Sequence, residues 1–81
     1  PDERWFTTTL HPDRIMHIAR DCPTDLDHAA VAVDIKADAE LGASAVLLRA
    51  DRIGVRLDAV ACWLHGRCLV DELIDQAGAA A

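Results

Sequence analysis

The groups best suited to chemistry in this chain are basic. Arg49, Arg52, Arg56 and Arg67, together with His65, crowd around the stretch Ala50–Gly66, A-D-R-I-G-V-R-L-D-A-V-A-C-W-L-H-G. Guanidinium groups grouped in this way can hold phosphates or pair with the edge of a guanine. Asp58, in their midst, would repel a phosphate backbone but could accept a hydrogen bond from cytosine. A second set is metal-like: Cys62, His65 and Cys68 recur at intervals of three, and His11, His17, Cys22 and His28 could add ligands. Zinc sites usually draw on tight C-x-x-C pairs, and none occurs here, so no metal is expected and the cysteines read more simply as small core residues. A nucleophile and base could come from Cys22 with His17 or Asp21, or from Cys62 with His65. No glycine-rich phosphate loop, nucleophile elbow or paired-carboxylate motif accompanies them, so neither an enzyme nor a cofactor is expected. Pro1 could in principle be a catalytic amine, but Asp2-Glu3-Arg4 does not read as a strand delivering it to a pocket. A chain boundary explains it more simply.

The elements that position these groups must fit into 81 residues, which reads as one small domain with a terminal arm (1–11), a core (12–78) and a frayed tail (79–81). The chain is 52% hydrophobic, yet its only aromatics are Trp5, Phe6 and Trp63. A core of small aliphatics stays thin, so a homodimer or another protein partner is expected to complete it. The net charge of −6 disfavours non-specific binding to nucleic acid or an anionic membrane, although one basic face on an acidic protein suffices for DNA. No apolar run approaches the roughly 18 residues of a membrane span, so no membrane partner is expected. Three cysteines, an odd number without framework spacing, point to reduced thiols in the cytoplasm and leave room for one intermolecular bridge.

Along the chain, Trp5 to Leu10 suggests a short strand. Pro12 to Asp21 predicts a helix capped by Thr9 or His11, with Ile15, Met16, Ile18, Ala19 and Cys22 as its buried stripe. Residues 29–41 alternate Ala29, Val31, Val33, Ile35, Ala37 and Ala39 with Asp34, Lys36, Asp38 and Glu40. The alternation favours strand, whereas the Ala, Lys and Glu content favours helix, and both remain open. From Ser44 to Ile53, Val46, Leu47, Ala50 and Ile53 form a helical stripe ended by Gly54. Asp58 then caps a short helix carrying Val60, Trp63 and Leu64. A strand through Ile53, Val55 and Leu57 competes with that assignment. Cys68 to Ala77 predicts a last helix, with Leu69, Val70, Leu73, Ile74 and Ala77 on its buried stripe and Asp71, Glu72, Asp75 and Gln76 opposite.

Ala50, Gly54 and Val60, flanked by Ile53, Val55 and Trp63, have the spacing of a helix-turn-helix: a small residue, a turn glycine and an apolar anchor. Residues 40–67 resemble that element of Cro-type bacterial repressors. The resemblance implies a small, dimeric, cytoplasmic DNA-binding regulator of transcription. Arg49, Arg52, Arg56, His65 and Arg67 would then be its contacts, made mainly to phosphates because base-reading side chains are few. A second resemblance is to acyl or peptidyl carrier proteins, through Val33–Ala39, Leu41–Leu48 and Gly54–Leu57, and implies attachment at Ser44. The fold expected from these readings is mainly α, a small helical bundle around the helix-turn-helix-like pair with an N-terminal strand. The alternative is α+β, two helices on a small antiparallel sheet. Residues 44–66 can also be nothing more than the centre of the core.

Overall fold

In the computed structural model, which describes residues 2–80, the chain forms β1 (Glu3–Thr8), α1 (Pro12–Arg20), two 3-10 turns (Thr24–Leu26 and His28–Ala30), β2 (Val31–Asp38), β3 (Ala43–Ala50) and α2 (Leu57–Ala80). Pro1 and Ala81, on which the readings of a terminal amine and of the tail's end fall, lie outside the described residues. The strands make one antiparallel sheet in the order β1-β3-β2. Because β1 and β2 both run antiparallel to β3, they are parallel to each other, and β3 occupies the gap that the α1 crossover leaves between them.

The fold is therefore α+β, which corrects the expected helical bundle. The correction lies mostly in residues 31–50, where Val31, Val33 and Ile35 pair with Ala50, Leu48 and Val46 across a hairpin. The β-branched residues of the first strand fit a pleated, half-buried surface better than they fit a helix. The turn has its own chemistry. Asp38 Oδ1 accepts from the amides of Glu40 and Leu41 at 3.1 and 3.2 Å, and Gly42 supplies φ +63°. The helical stripe read in 44–53 arises because the run Ala-Val-Leu-Leu satisfies either period. In the fold, Ser44, Val46 and Leu48 alternate inward as β3. With β3 there, residues 44–66 contain no helix-turn-helix pair: a strand, a loop and the start of α2 take its place.

Only one face of the sheet is covered. Phe6, Val31, Val46 and Leu48 point from it toward Ile15 and Ile18 of α1 and Leu57, Val60, Leu64 and Cys68 of α2, and together these form the core. The opposite face carries Trp5, Leu47, Arg49 and Asp34 in cross-strand neighbourhood, and there Trp5 is 70% exposed. Helix α1 begins as its sequence suggests, with Pro12 at its start and His11 Nδ1 accepting from the Asp13 amide at 3.1 Å.

Helix α2 departs most from expectation. The two predicted helices, near 58–64 and 68–77, are one element of 24 residues, with Gly66 inside it. Its phase is set by Leu57, Val60, Leu64 and Cys68, which recur at intervals of three or four and all face the sheet. Continuing that phase turns Asp71, Glu72 and Asp75 inward and Leu69, Val70, Leu73 and Ile74 outward, so the stripe expected to be buried is the exposed one. The inward acids find partners. Arg14 of α1 spans Asp71 and Asp75, each at 3.2 Å. Glu72 Oε1 accepts from Thr8 Oγ1 and the Thr9 amide, both at 2.7 Å, and from Thr9 Oγ1 at 3.3 Å. Thr8 Oγ1 accepts in turn from the Leu10 amide, while Ser44 Oγ donates to the Leu10 carbonyl at 2.9 Å. The turn between β1 and α1 is thus held to α2 on one side and to β3 on the other.

Partial burial works to raise the Glu72 pKa, but the hydrogen bonds from Thr8 and Thr9, with His65 nearby, outweigh it and hold the group below its ordinary value. A depressed folded pKa contributes stability that is present above the unfolded value of 4.5 and is lost as pH falls through the folded one. Glu72→Gln is expected to destabilise the protein by about 1 kcal/mol at neutral pH. In urea titrations across pH, the two proteins should converge once wild-type Glu72 protonates. A constant difference down to acid pH would contradict this account. Leu64 is 1% exposed, so Leu64→Ala should cost about 2–5 kcal/mol and lower the urea midpoint accordingly.

Candidate binding groove

The sequence-derived site residues do not converge. Arg49 lies on the uncovered face of the sheet, ion-paired with Asp34 of β2. Arg52, in the loop after β3, pairs with Asp27 at 2.9 Å and lies 3.9 Å from Asp51. Arg56, exposed just before α2, has no ion pair among the described residues. His65 packs inward, its ring stacked on Phe6 at 4.5 Å between centroids and 14° between planes. Arg67, two residues on and so across the helix from His65, holds its guanidinium 5.7 Å from the Trp63 ring centroid. Ser44 is buried in β3 with its hydroxyl engaged, not exposed at a helix start as carrier attachment needs.

The thiol and imidazole candidates are separated too. Cys62 is exposed, whereas Cys68 is fully buried on the other side of α2, and His17 is exposed while Cys22 is buried. No group of three His, Cys, Asp or Glu side chains is placed to hold a metal ion among the described residues. Burial, then the Asp25 charge, raises the Cys22 pKa. Burial, with Glu72 and Asp71 behind it, pushes Cys68 up to about 11. Neither is an activated nucleophile.

The structure instead assembles a groove that no single stretch of sequence announces. It lies between α1 and α2, is floored by β2 and has a volume of about 240 Å³. Met16 and Ala19 of α1 form one wall, Val60 and Trp63 of α2 the other, and Val31 and Val33 the floor. Three polar groups interrupt the apolar lining: the buried Cys22 thiol, the exposed Arg20 at the end of α1, and His28. His28 Nδ1 is shielded from solvent yet has no hydrogen-bond partner among the described residues. A buried ring nitrogen left without a protein partner is uncommon in a folded protein. The sequence offered His28 only as one of several loose metal candidates. Its place in the groove depends on helices and a strand far apart in the chain meeting around it.

No protein family, curated protein or solved structure matches the chain. Among the described residues, no helix is long and apolar enough to cross a membrane.

Alkylation of Cys22 and Cys68 by iodoacetamide at mildly alkaline pH should be slow in the folded protein and fast in urea, as peptide mass analysis would read. Rapid native modification of Cys22 would show that the groove opens well beyond its described form.

Proposed function

We propose that this is a non-enzymatic protein-interaction domain whose groove receives one apolar side chain from a partner segment. The observation that carries this reading is the groove itself, apolar along both walls and floor. At about 240 Å³ it falls below the roughly 300–1,000 Å³ of pockets that enclose drug-sized ligands, and its size suits a single anchoring side chain. Arg20 at the rim favours an acidic neighbour beside that anchor. The helix-turn-helix regulator has less geometric support. Arg49, Arg52 and Arg67 lie on different faces, and two of them are engaged by aspartates.

Titration of the nitrogen-15-labelled protein with N-acetyl-leucinamide and N-acetyl-tryptophanamide tests the groove. Saturable shifts confined to Ala19, Cys22, His28, Val33 and the Trp63 indole are expected, and Met16→Glu should abolish them without changing the fold. Shifts that never saturate, or that scatter over the surface, would refute the proposal. Mobility assays with random duplex DNA discriminate the other reading: retardation that weakens with salt would favour the regulator over the interaction domain.

A further inference from the structure

We infer that α2 is a dimerisation element, with a second copy of the chain lying antiparallel along its outward face. The inference does not depend on the groove. At about 100° per residue, the side of α2 turned from the core carries no Asp, Glu, Lys or Arg from Cys62 onward; Asp58 lies on that side one turn earlier, where Arg4 engages it. From Cys62 the face displays Cys62, Gly66, Leu69, Val70, Leu73 and Ile74 instead, and the four large aliphatics among them are 47–64% exposed. An α-helix that is apolar on both sides is normally covered on both sides. Here the sheet covers only one.

Three features identify the missing cover as a second copy. The first is the distribution of volume. Small residues, Ala59, Cys62 and Gly66, occupy the first half of the face, and Leu69 and Leu73 the second. An antiparallel pair brings these halves together, setting Gly66 against the partner's Leu69 and Cys62 against the partner's Leu73. In a parallel pair, small residues would meet small ones and leave one end unfilled.

The second feature is Gly66. Glycine is disfavoured inside a helix, and a Cβ at this position would meet no atom of the chain within 4 Å, so the chain's own packing does not require it. Close approach of a second helix would. The third is charge. A chain of net charge −6 repels its own copy, but Asp71 and Asp75 are turned inward onto Arg14, Glu72 onto Thr8 and Thr9, and Asp58 at the start of the face is paired with Arg4, so the face from Cys62 onward presents no acidic side chain. From Ala59 to Ala77 the face runs roughly 27 Å. A specific interface needs roughly 1,000 Å² of total buried surface, and the exposed parts of the four large aliphatics on each copy would supply most of it.

Sedimentation velocity over a concentration series should show a reversible dimer at micromolar protein, and Leu73→Asp should return it to monomer with an unchanged far-UV circular dichroism spectrum. A wild type that stays monomeric at high micromolar concentration, or a Leu73→Asp variant that stays dimeric, would overturn the inference. Orientation is read by crosslinking. Under mild oxidation, Leu73→Cys should give a covalent dimer through Cys62 of the partner subunit, and adding Cys62→Ser should abolish it. The wild type should not crosslink, because in the antiparallel pair the two Cys62 residues stand roughly 16 Å apart along the axis. Covalent dimer from wild type, or from Leu73→Cys with Cys62→Ser, would show a parallel pair and overturn the arrangement. Met16→Glu should leave the dimer intact, and Leu73→Asp should leave groove binding intact, so the two proposals fail separately.

Discussion

The rotation of α2 about its own axis is the constraint from which the rest of the molecule follows, and a carboxylate fixes it where the apolar stripe runs out. Leu57, Val60, Leu64 and Cys68 seat the first half of the helix on the sheet. Beyond Cys68 no described aliphatic side chain of α2 belongs to the core. Glu72 takes over, collecting three donors from the turn after β1, while Arg14 bridges Asp71 and Asp75 on the flank toward α1. Exposed ion pairs contribute little singly, but hydrogen bonds to a partly buried carboxylate contribute more. With α2 held from both flanks, Trp63 is directed toward α1, where it completes the groove, and Leu73 toward solvent.

That constraint also explains what could be read in the sequence and what could not. Local chemistry was legible: Pro12 and His11 at the start of α1, Ile15 and Ile18 as its buried positions, and a strand containing Trp5 and Phe6. The hairpin of β2 and β3 was legible only in half. Its first strand alternates clearly, but Ala45–Leu48 fits either period, and only pairing on both sides of β3 decides it. In α2 the helical repeat from Cys68 to Ala77 is legible in the sequence, but which of its faces is buried is not. Hydrophobicity alone places Leu69 and Leu73 in a core. The opposite result depends on Leu57 to Cys68 continuing into the same helix, and on Arg14, Thr8 and Thr9 waiting for the acids more than fifty residues away in sequence.

The site residues follow the same division. Arginines at 49, 52, 56 and 67 look like a cluster when the chain is read as two helices. A strand sends Arg49 to the uncovered sheet face, the loop commits Arg52 to Asp27, and the helix carries Arg67 over Trp63. Their proximity in sequence does not survive the change of secondary structure. The groove is the converse case, since Met16, His28, Val33 and Trp63 share no motif and acquire a common environment only through tertiary packing.

A chain of this size gains only a narrow margin from one layer of helices on one face of a three-stranded sheet. Replacing Leu69 or Leu73 with a polar residue would cost the isolated domain little, because neither belongs to its core. Glycine at position 66 weakens the helix that carries them. An isolated domain would be better served by the reverse choices on both counts. The two features become consistent once the outward face of α2 has its own complement: exposed leucines then add buried surface, and the glycine admits them. Mass action would link that association to folding, so the stability of the domain would rise with its concentration. On this view, the thin core and the apolar back of α2 are two parts of one arrangement, in which assembly supplies the second layer of packing that the chain lacks by itself.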